Sequence, residues 1–276
     1  MPDNQVQIIM PVYRAFTLAK AAIQSCLSLT EWPFHLWVAD DCSHDAELDN
    51  YLRRLPVNMV STYRAERRRG FGDLCNYMAN QQAKTGPLCF LNSDTQAMPF
   101  WLTHMMRAML ADDKIGVVGA KLLYPPERAE RAYKIQHCGV ARDKTGSPYH
   151  IWRDKEYNYP PTLVDRYVNA ITGACMLVRR ECWTNLHGFD RAYEFCQFED
   201  VDFCWRARRA GWKVYLSTRA VLLHYEHGTG EAFAYQKHDH NRAILLQRWA
   251  GLDSDEAMFD SEGVNAVGDY PGLQPA

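Results

Sequence analysis

The chain has 276 residues, 47% of them hydrophobic and 23% charged, with a formal net charge of −2. That composition suits one large α/β domain or two small ones. It leaves no global basic footprint for nucleic acid or an anionic membrane surface. No apolar run approaches the roughly 20 residues of a membrane helix. Met1 to Gln5 also lack the basic and apolar regions of a secretory leader, so a cytoplasmic chain is expected.

Val6 to Met10 reads as a first strand, stopped by Pro11 because proline cannot donate to a ladder. Phe16 to Leu29 has helical spacing, with Leu18, Ala22, Ile23 and Leu27 on one face. Phe34 to Ala39 is a second strand, ending in Asp40-Asp41. A charged helix then runs to about Leu55, and Val57 to Thr62 is a third strand. Gly70-Phe71-Gly72 opens a helix to about Ala83, and Leu88 to Leu91 is a short apolar run of the kind buried in parallel sheets. A Met-rich helix follows from about Phe100 to Leu110, its stripe read as core packing.

This alternation predicts right-handed βαβ units and a mostly parallel sheet. Beyond Ile115 the pattern changes. Ile115 to Leu123, Ile135 to Ala141 and Val164 to Val178 read as strands with long, proline-rich connections. Glu199 to Ala210 is a helix, Lys213 to Ser217 and Val221 to Tyr225 are strands, and a last helix spans about Glu231 to Trp249. From Gly251 there are six acidic residues and no basic one, the composition of a mobile, solvated tail. The nine cysteines form no CxxC pair and sit in apolar patterns, which favours reduced, buried thiols over a disulfide framework or zinc site.

Five groups carry potential chemistry. Asn92-Ser93-Asp94 stands at the carboxyl end of the Leu88 strand, where open α/β sheets bind ligands; such a cluster can hold a divalent cation, or Asp94 can simply start the next helix. Asp41 can accept from a base or ribose, or Asp40-Asp41 can cap a helix beginning near His44. Gly70-Phe71-Gly72 follows Arg64, Arg67, Arg68 and Arg69, a combination suited to diphosphate. It is a poor dinucleotide fingerprint, since Cys75 stands at the third glycine position, and Pro11-Val12-Tyr13-Arg14 cannot form that loop after the first strand. A nicotinamide-dependent oxidoreductase is therefore not expected. Glu199, Asp200 and Asp202 crowd the first turn of a helix whose end carries Arg206, Arg208 and Arg209; they complement the helix dipole, and one of them can serve as a general base. His224 and His227 follow a strand and can offer one imidazole to a metal.

Taken in order, Pro11-Val12-Tyr13, Ala39-Asp40-Asp41-Cys42-Ser43, Gly70-Phe71-Gly72, Leu91-Asn92-Ser93-Asp94-Thr95, Thr172-Gly173-Ala174, Phe198-Glu199-Asp200-Val201-Asp202 and His224 resemble family 2 glycosyltransferases, in the bacterial rhamnosyltransferase-like branch, over about Asn4 to Ala250. The resemblance implies a GT-A fold: a single α/β domain over 1–250, with a Rossmann-like nucleotide-binding part at about 1–95, an acceptor-binding part at about 96–250, and the tail at 251–276. It implies inverting sugar transfer from a nucleotide-sugar, UDP- or dTDP-linked, with Mn²⁺ or Mg²⁺, onto a glycan or glycoconjugate hydroxyl ahead of a nucleic-acid acceptor. By position, Pro11, Val12, Tyr13, Arg14, Asp41, Gly70, Asn92 and Ser93 would bind the donor. Thr172, Gly173 and Ala174 would line the sugar pocket, Asp94 and His224 (or His227) would hold the metal, and Asp200 would be the base beside Glu199. Asn92 replaces the first acid of the family's DxD motif, which implies a weaker cation site. Two other readings share this sheet: a nucleotidyltransferase that makes nucleotide-sugars, and a glycan-binding module without catalysis.

Overall fold

The computed structural model describes residues 4–226 and 237–252. In chain order, β1 (Val6–Val12), α1 (Phe16–Leu29), β2 (Phe34–Asp40), α2 (Ala46–Leu52), β3 (Val60–Arg64), α3 (Phe71–Tyr77), β4 (Leu88–Leu91) and β5 (Thr95–Ala97) make the first half. Then come α4 (Trp101–Ala111), β6 (Ile115–Leu123), β7 (Ile135–His137), β8 (Val140–Arg142), β9 (Pro148–His150), β10 (Arg166–Tyr167) and β11 (Cys175–Val178). The described chain closes with α5 (Arg180–Asn185), α6 (Glu199–Arg209), β12 (Lys213–His224) and α7 (His238–Arg248).

One twisted sheet runs in the order β10-β12-β6-β11-β4-β1-β2-β3, with β5 added on β12 and β7 on β6. The β3-β2-β1-β4 half is parallel, while β11 enters antiparallel between β4 and β6 and ties the two halves together. Side chains alternate across the sheet. On β1, Val6, Ile8, Met10 and Val12 pack toward α1, α2 and α4, whereas Ile9 packs toward α3, α5 and α6. Both faces are thereby covered, as a largely parallel sheet requires.

Several elements differ from the sequence reading for physical reasons. Pro11 lies inside β1 and pairs with Ala39. It is tolerated because β4 pairs with β1 only as far as Ile9, so the missing N–H falls where that edge has no ladder. The buried face of α1 is Ala19, Ala22, Ile23 and Cys26, so Ala19 and Cys26 take the inner positions expected of Leu18 and Leu27. β3 starts three residues late, leaving Val57 88% exposed. Helix α3 gives way to a wider turn at Met78–Gln82. The two expected strands after Lys213 are one strand with a register shift between Ser217 and Val221. Ile135 to Ala141 and Val164 to Val178 each divide into two short strands. The last helix expected from Glu231 starts outside the described residues, where His227 and, past Leu252, the tail also lie.

Asp40 and Asp41 do not cap α2. Asp45 does so, accepting from the backbone N–H groups of Glu47 and Leu48. Asp202 belongs to the core of α6 and takes no part in the cleft. It is fully buried and accepts from Tyr193, Arg206, Arg248 and the Trp249 indole, so it pins α7 against α6. Among the described residues no helix is long and apolar enough to cross a membrane.

Candidate active site

A cavity of about 580 Å³ opens at the carboxyl ends of β1, β2 and β4. Pro11, Val12, Tyr13, Asp41, Gly70, Asn92, Ser93, Asp94, Thr172, Gly173, Ala174, Glu199, Asp200 and His224 all line it. Arg14 does not: it leans on the Tyr13 ring, 5.2 Å from its centroid, and its backbone N–H donates to Ser43.

Backbone register brings these distant segments together. Asn92 to Thr95 form a tight turn from β4 into β5, closed by Thr95 donating twice to the Asn92 carbonyl. Asp94 therefore sits on a turn and does not start a helix. On one side β5 pairs antiparallel with β12, setting Thr95 opposite His224, and the Tyr225 N–H donates to the Asp94 carbonyl. The Asp94 Oδ1 consequently lies 3.2 Å from His224 Nε2. On the other side β11 pairs with β4, and the Asn92 N–H donates to Ala174, which places 172–174 beside the turn.

The carboxylates of α6 face this loop in different ways. Asp200 accepts from the Gly173 N–H at 2.7 Å through Oδ2 and from the Val201 N–H at 2.8 Å through Oδ1. Burial raises its pKa, and those backbone donors oppose the rise. Glu199 is buried beneath it, with Oε2 lacking a partner among the described residues. Burial, then the charge of Asp200, pushes its pKa well above the usual range. Of the neighbouring pair, Glu199 is thus the more strongly biased toward its protonated form, while backbone donors favour the ionised form of Asp200. The consequence for stability has a definite sign. Native Glu199 keeps a proton that the unfolded chain releases above about 4.5, so its contribution to stability falls as pH rises past that value. Glu199→Gln removes this slope. Its melting temperature is expected to gain on the wild type progressively between pH 5 and pH 8, and parallel melting curves would contradict the assignment.

The rim leading into α6 is strained. Phe195, Gln197 and Phe198 all have positive φ, at 61°, 82° and 73°. Asn241 of α7 holds them by donating to the carbonyls of Glu194 and Cys196 and accepting from the Glu194 N–H. Gly70 meets the same rim at φ 81°, where an added Cβ would stand 2.4 Å from the Phe195 Cα. Both the geometry and the backbone conformation demand glycine there. Gly70→Ala is expected to lower stability by roughly 1–3 kcal/mol, read as a depressed melting temperature. It also displaces the amides of Arg69 and Gly70, which donate to Asp41 at 2.7 and 2.9 Å. Asp41 therefore anchors this loop with one lone pair of each oxygen, and burial raises its pKa.

The arginine run disperses. Arg64 bonds Asp40 and Asp49, Arg69 bonds Asp73, and Arg67 is exposed. Arg68 alone reaches the cavity, its guanidinium 3.9 Å over the Tyr13 ring. Sequence reasoning did not separate it from its neighbours. It also missed Gln136 and His150, which line the cavity, and Asn241, because an isolated polar residue in an apolar or helical pattern signals nothing. His150 is held neutral, its pKa driven down to about 4 chiefly by burial and then by Arg153.

The sequence profile of glycosyltransferase-like family 2 matches residues 37–245. The chain belongs to that family. It is 28% identical to the O-antigen biosynthesis protein RfbC of Myxococcus xanthus, an alignment spanning 91% of this chain and 20% of RfbC. It is 39% identical over 83 residues to the N-acetylglucosaminyl-diphospho-decaprenol L-rhamnosyltransferase of Mycobacterium tuberculosis, 30% of this chain and 27% of that protein. The matches thus span a fifth to about a quarter of these relatives' own lengths. The glycosyltransferase-like fold is also that of GalNAc-T7, solved with UDP, GalNAc and Mn²⁺ (TM-score 0.65, 16% identity, 80% of this chain and 43% of that one). A second neighbour is the mannosyltransferase PcManGT of Pyrobaculum calidifontis, solved with GDP-Man and Mn²⁺ (TM-score 0.58, 14% identity, 88% and 68%). The GT-A fold expected from the sequence is the one observed.

Proposed function

We propose that this chain moves a sugar from a nucleotide-sugar, UDP- or dTDP-linked, to an acceptor hydroxyl with inversion, using a bound divalent cation. The observation that carries the reading is the convergence on one cavity of an acid–imidazole pair, Asp94 and His224, and a separately held carboxylate, Asp200.

The residues fit a hard or borderline cation such as Mn²⁺ or Mg²⁺. Carboxylate oxygen and imidazole nitrogen are suitable donors. Two adjacent ligands of an octahedral ion with bonds of about 2.1 Å stand about 3 Å apart, close to the 3.2 Å between Asp94 Oδ1 and His224 Nε2. Among the described residues no cluster of three or more His, Cys, Asp or Glu side chains offers a complete site. A cation held by this pair would need further oxygen ligands, which the diphosphate of a bound donor could supply. Once bound, the cation offsets the negative charge that builds on the departing diphosphate.

The protein's own groups do the rest. Tyr13, with Arg68 stacked on it, gives the nucleotide a flat, cationic wall, and Asp41 keeps the Gly70 loop in place beneath. Thr172, Gly173 and Ala174 bring backbone close to the sugar, and a side chain at 173 would press on Phe71, which lines the same cavity: an added Cβ meets that ring at 3.2 Å. Asp200 takes the proton from the acceptor hydroxyl as it attacks the anomeric carbon from the face opposite the diphosphate. Its two backbone donors hold it as an oriented anion, and the raised pKa makes it a stronger base than a free aspartate. No protein nucleophile is needed for a single displacement. Separation of products after incubation with a panel of UDP- and dTDP-sugars and Mn²⁺ tests the reading. Free nucleoside diphosphate is the expected product; no turnover of the nucleotide-sugars, with pyrophosphate released instead from a nucleoside triphosphate and a sugar 1-phosphate, would indicate nucleotidyl transfer.

A further inference from the structure

His224 does not stand alone beside Asp94. Near its end, at Leu122–Leu123, β6 is flanked by β12 on one edge and β7 on the other. That arrangement carries Gln136 of β7 to the imidazole from behind: Gln136 Oε1 lies 2.8 Å from His224 Nδ1. A carbonyl oxygen only accepts, so this contact calls for a proton on Nδ1, and in the neutral imidazole that tautomer turns the Nε2 lone pair toward the cavity side. That lone pair faces Asp94 Oδ1 at 3.2 Å. A carboxylate oxygen and an imidazole nitrogen at that distance can share a proton or a cation between them. Gln136 itself is 1% exposed, and its Nε2 is buried without a partner among the described residues. The hydrogen bond that fixes this amide is therefore the one to His224. A buried glutamine that leaves half its polar capacity unused carries a cost, which a structural filler of the same volume would avoid.

We infer that Gln136 is a positioning residue for the metal ligand His224: it locks the imidazole with Nδ1 protonated and aims Nε2 at the position shared with Asp94. The inference rests on the metal site proposed above. It makes a relay of two residues and the cation, Gln136 to His224 to cation, out of strands that meet only across β6. Outer partners of this kind set the tautomer and ring angle of metal-bound histidines.

The test is Mn²⁺ affinity of the full chain in the presence of saturating UDP or dTDP, read from the loss of the free-Mn²⁺ electron paramagnetic resonance signal. Gln136→Met keeps the length and removes the acceptor; it is expected to weaken Mn²⁺ binding roughly 10- to 100-fold. Gln136→Glu retains an acceptor for Nδ1–H and is expected to stay within a few-fold of wild type. An unchanged affinity in Gln136→Met overturns the proposal, as does an equal loss in both variants, which would mark a packing effect. If the wild type itself binds no Mn²⁺ with either nucleotide, the metal site fails and not merely the role of Gln136. Should Gln136→Met not fold, nitrogen–proton correlation spectra of the Mg²⁺- and UDP-loaded wild type decide: Nδ1–H on His224 supports the assignment, and Nε2–H refutes it.

Discussion

Asp200→Asn is expected to lower kcat by 10²- to 10⁴-fold, the usual contribution of a positioned general base, while leaving donor affinity close to wild type. The amide is isosteric and can still accept one of the backbone N–H groups, from Gly173 or Val201, that orient the native carboxylate. The site's shape is largely kept, and the proton acceptor is lost together with one of the two orienting hydrogen bonds. Glu199→Gln supplies the contrast, because that neighbour is already held neutral by burial and by the charge of Asp200. The pH profile carries the same signature. Since burial raises the Asp200 pKa, the acid limb of kcat/KM should fall at higher pH than the 3.8 of an ordinary aspartate, as protonation removes the base. Transfer at the wild-type rate in Asp200→Asn would remove this residue from the chemistry.

Asp94→Ala should produce the other large effect, and of a different kind. It deletes one of the two protein ligands of the proposed cation, so Mn²⁺-dependent tightening of nucleotide-sugar binding disappears in calorimetry while weak metal-free binding remains. Metal stabilisation of a leaving diphosphate is worth several kcal/mol, so kcat/KM should fall on the order of 10³-fold. The Asn92 amide, which takes the place of a second acid in the turn, does not compensate, because a neutral ligand offsets none of the cation's charge. An Asp94→Ala enzyme with undiminished Mn²⁺ response would place the cation elsewhere.

These two expectations share a structural origin that was partly visible in the sequence. The switch from Leu88-Cys89-Phe90-Leu91 to Asn92-Ser93-Asp94 marks a strand end by composition alone, and the first turn of α6 is marked by its crowded acids. Sequence could not apportion those acids. Asp202 is consumed by Tyr193, Arg206, Arg248 and Trp249, partners far along the chain whose approach depends on how α7 docks. The short strand β5 was equally hidden. Three residues carry no periodicity, yet their pairing with β12 is what lays His224 beside Asp94. Gln136 and Asn241 were silent for the same reason: each is a single polar residue whose meaning comes from the segment it faces. Arg14 differs from Tyr13 in placement: it is not among the residues lining the cavity, and it and Ala15 have left-handed backbone. Local pattern reads what a residue is, and antiparallel register decides what it meets.

The central claim is that one cation-bound diphosphate sits between Asp94, His224 and Asp200. Crystals of the protein grown with a nucleoside diphosphate and Mn²⁺, measured for anomalous scattering, test it most directly. The account predicts a single strong peak within bonding distance of Asp94 Oδ1 and His224 Nε2, with the diphosphate on its cavity side and Asp200 across the pocket. A Mn²⁺ peak that touches neither side chain, with the nucleotide bound in the same cavity, would contradict it.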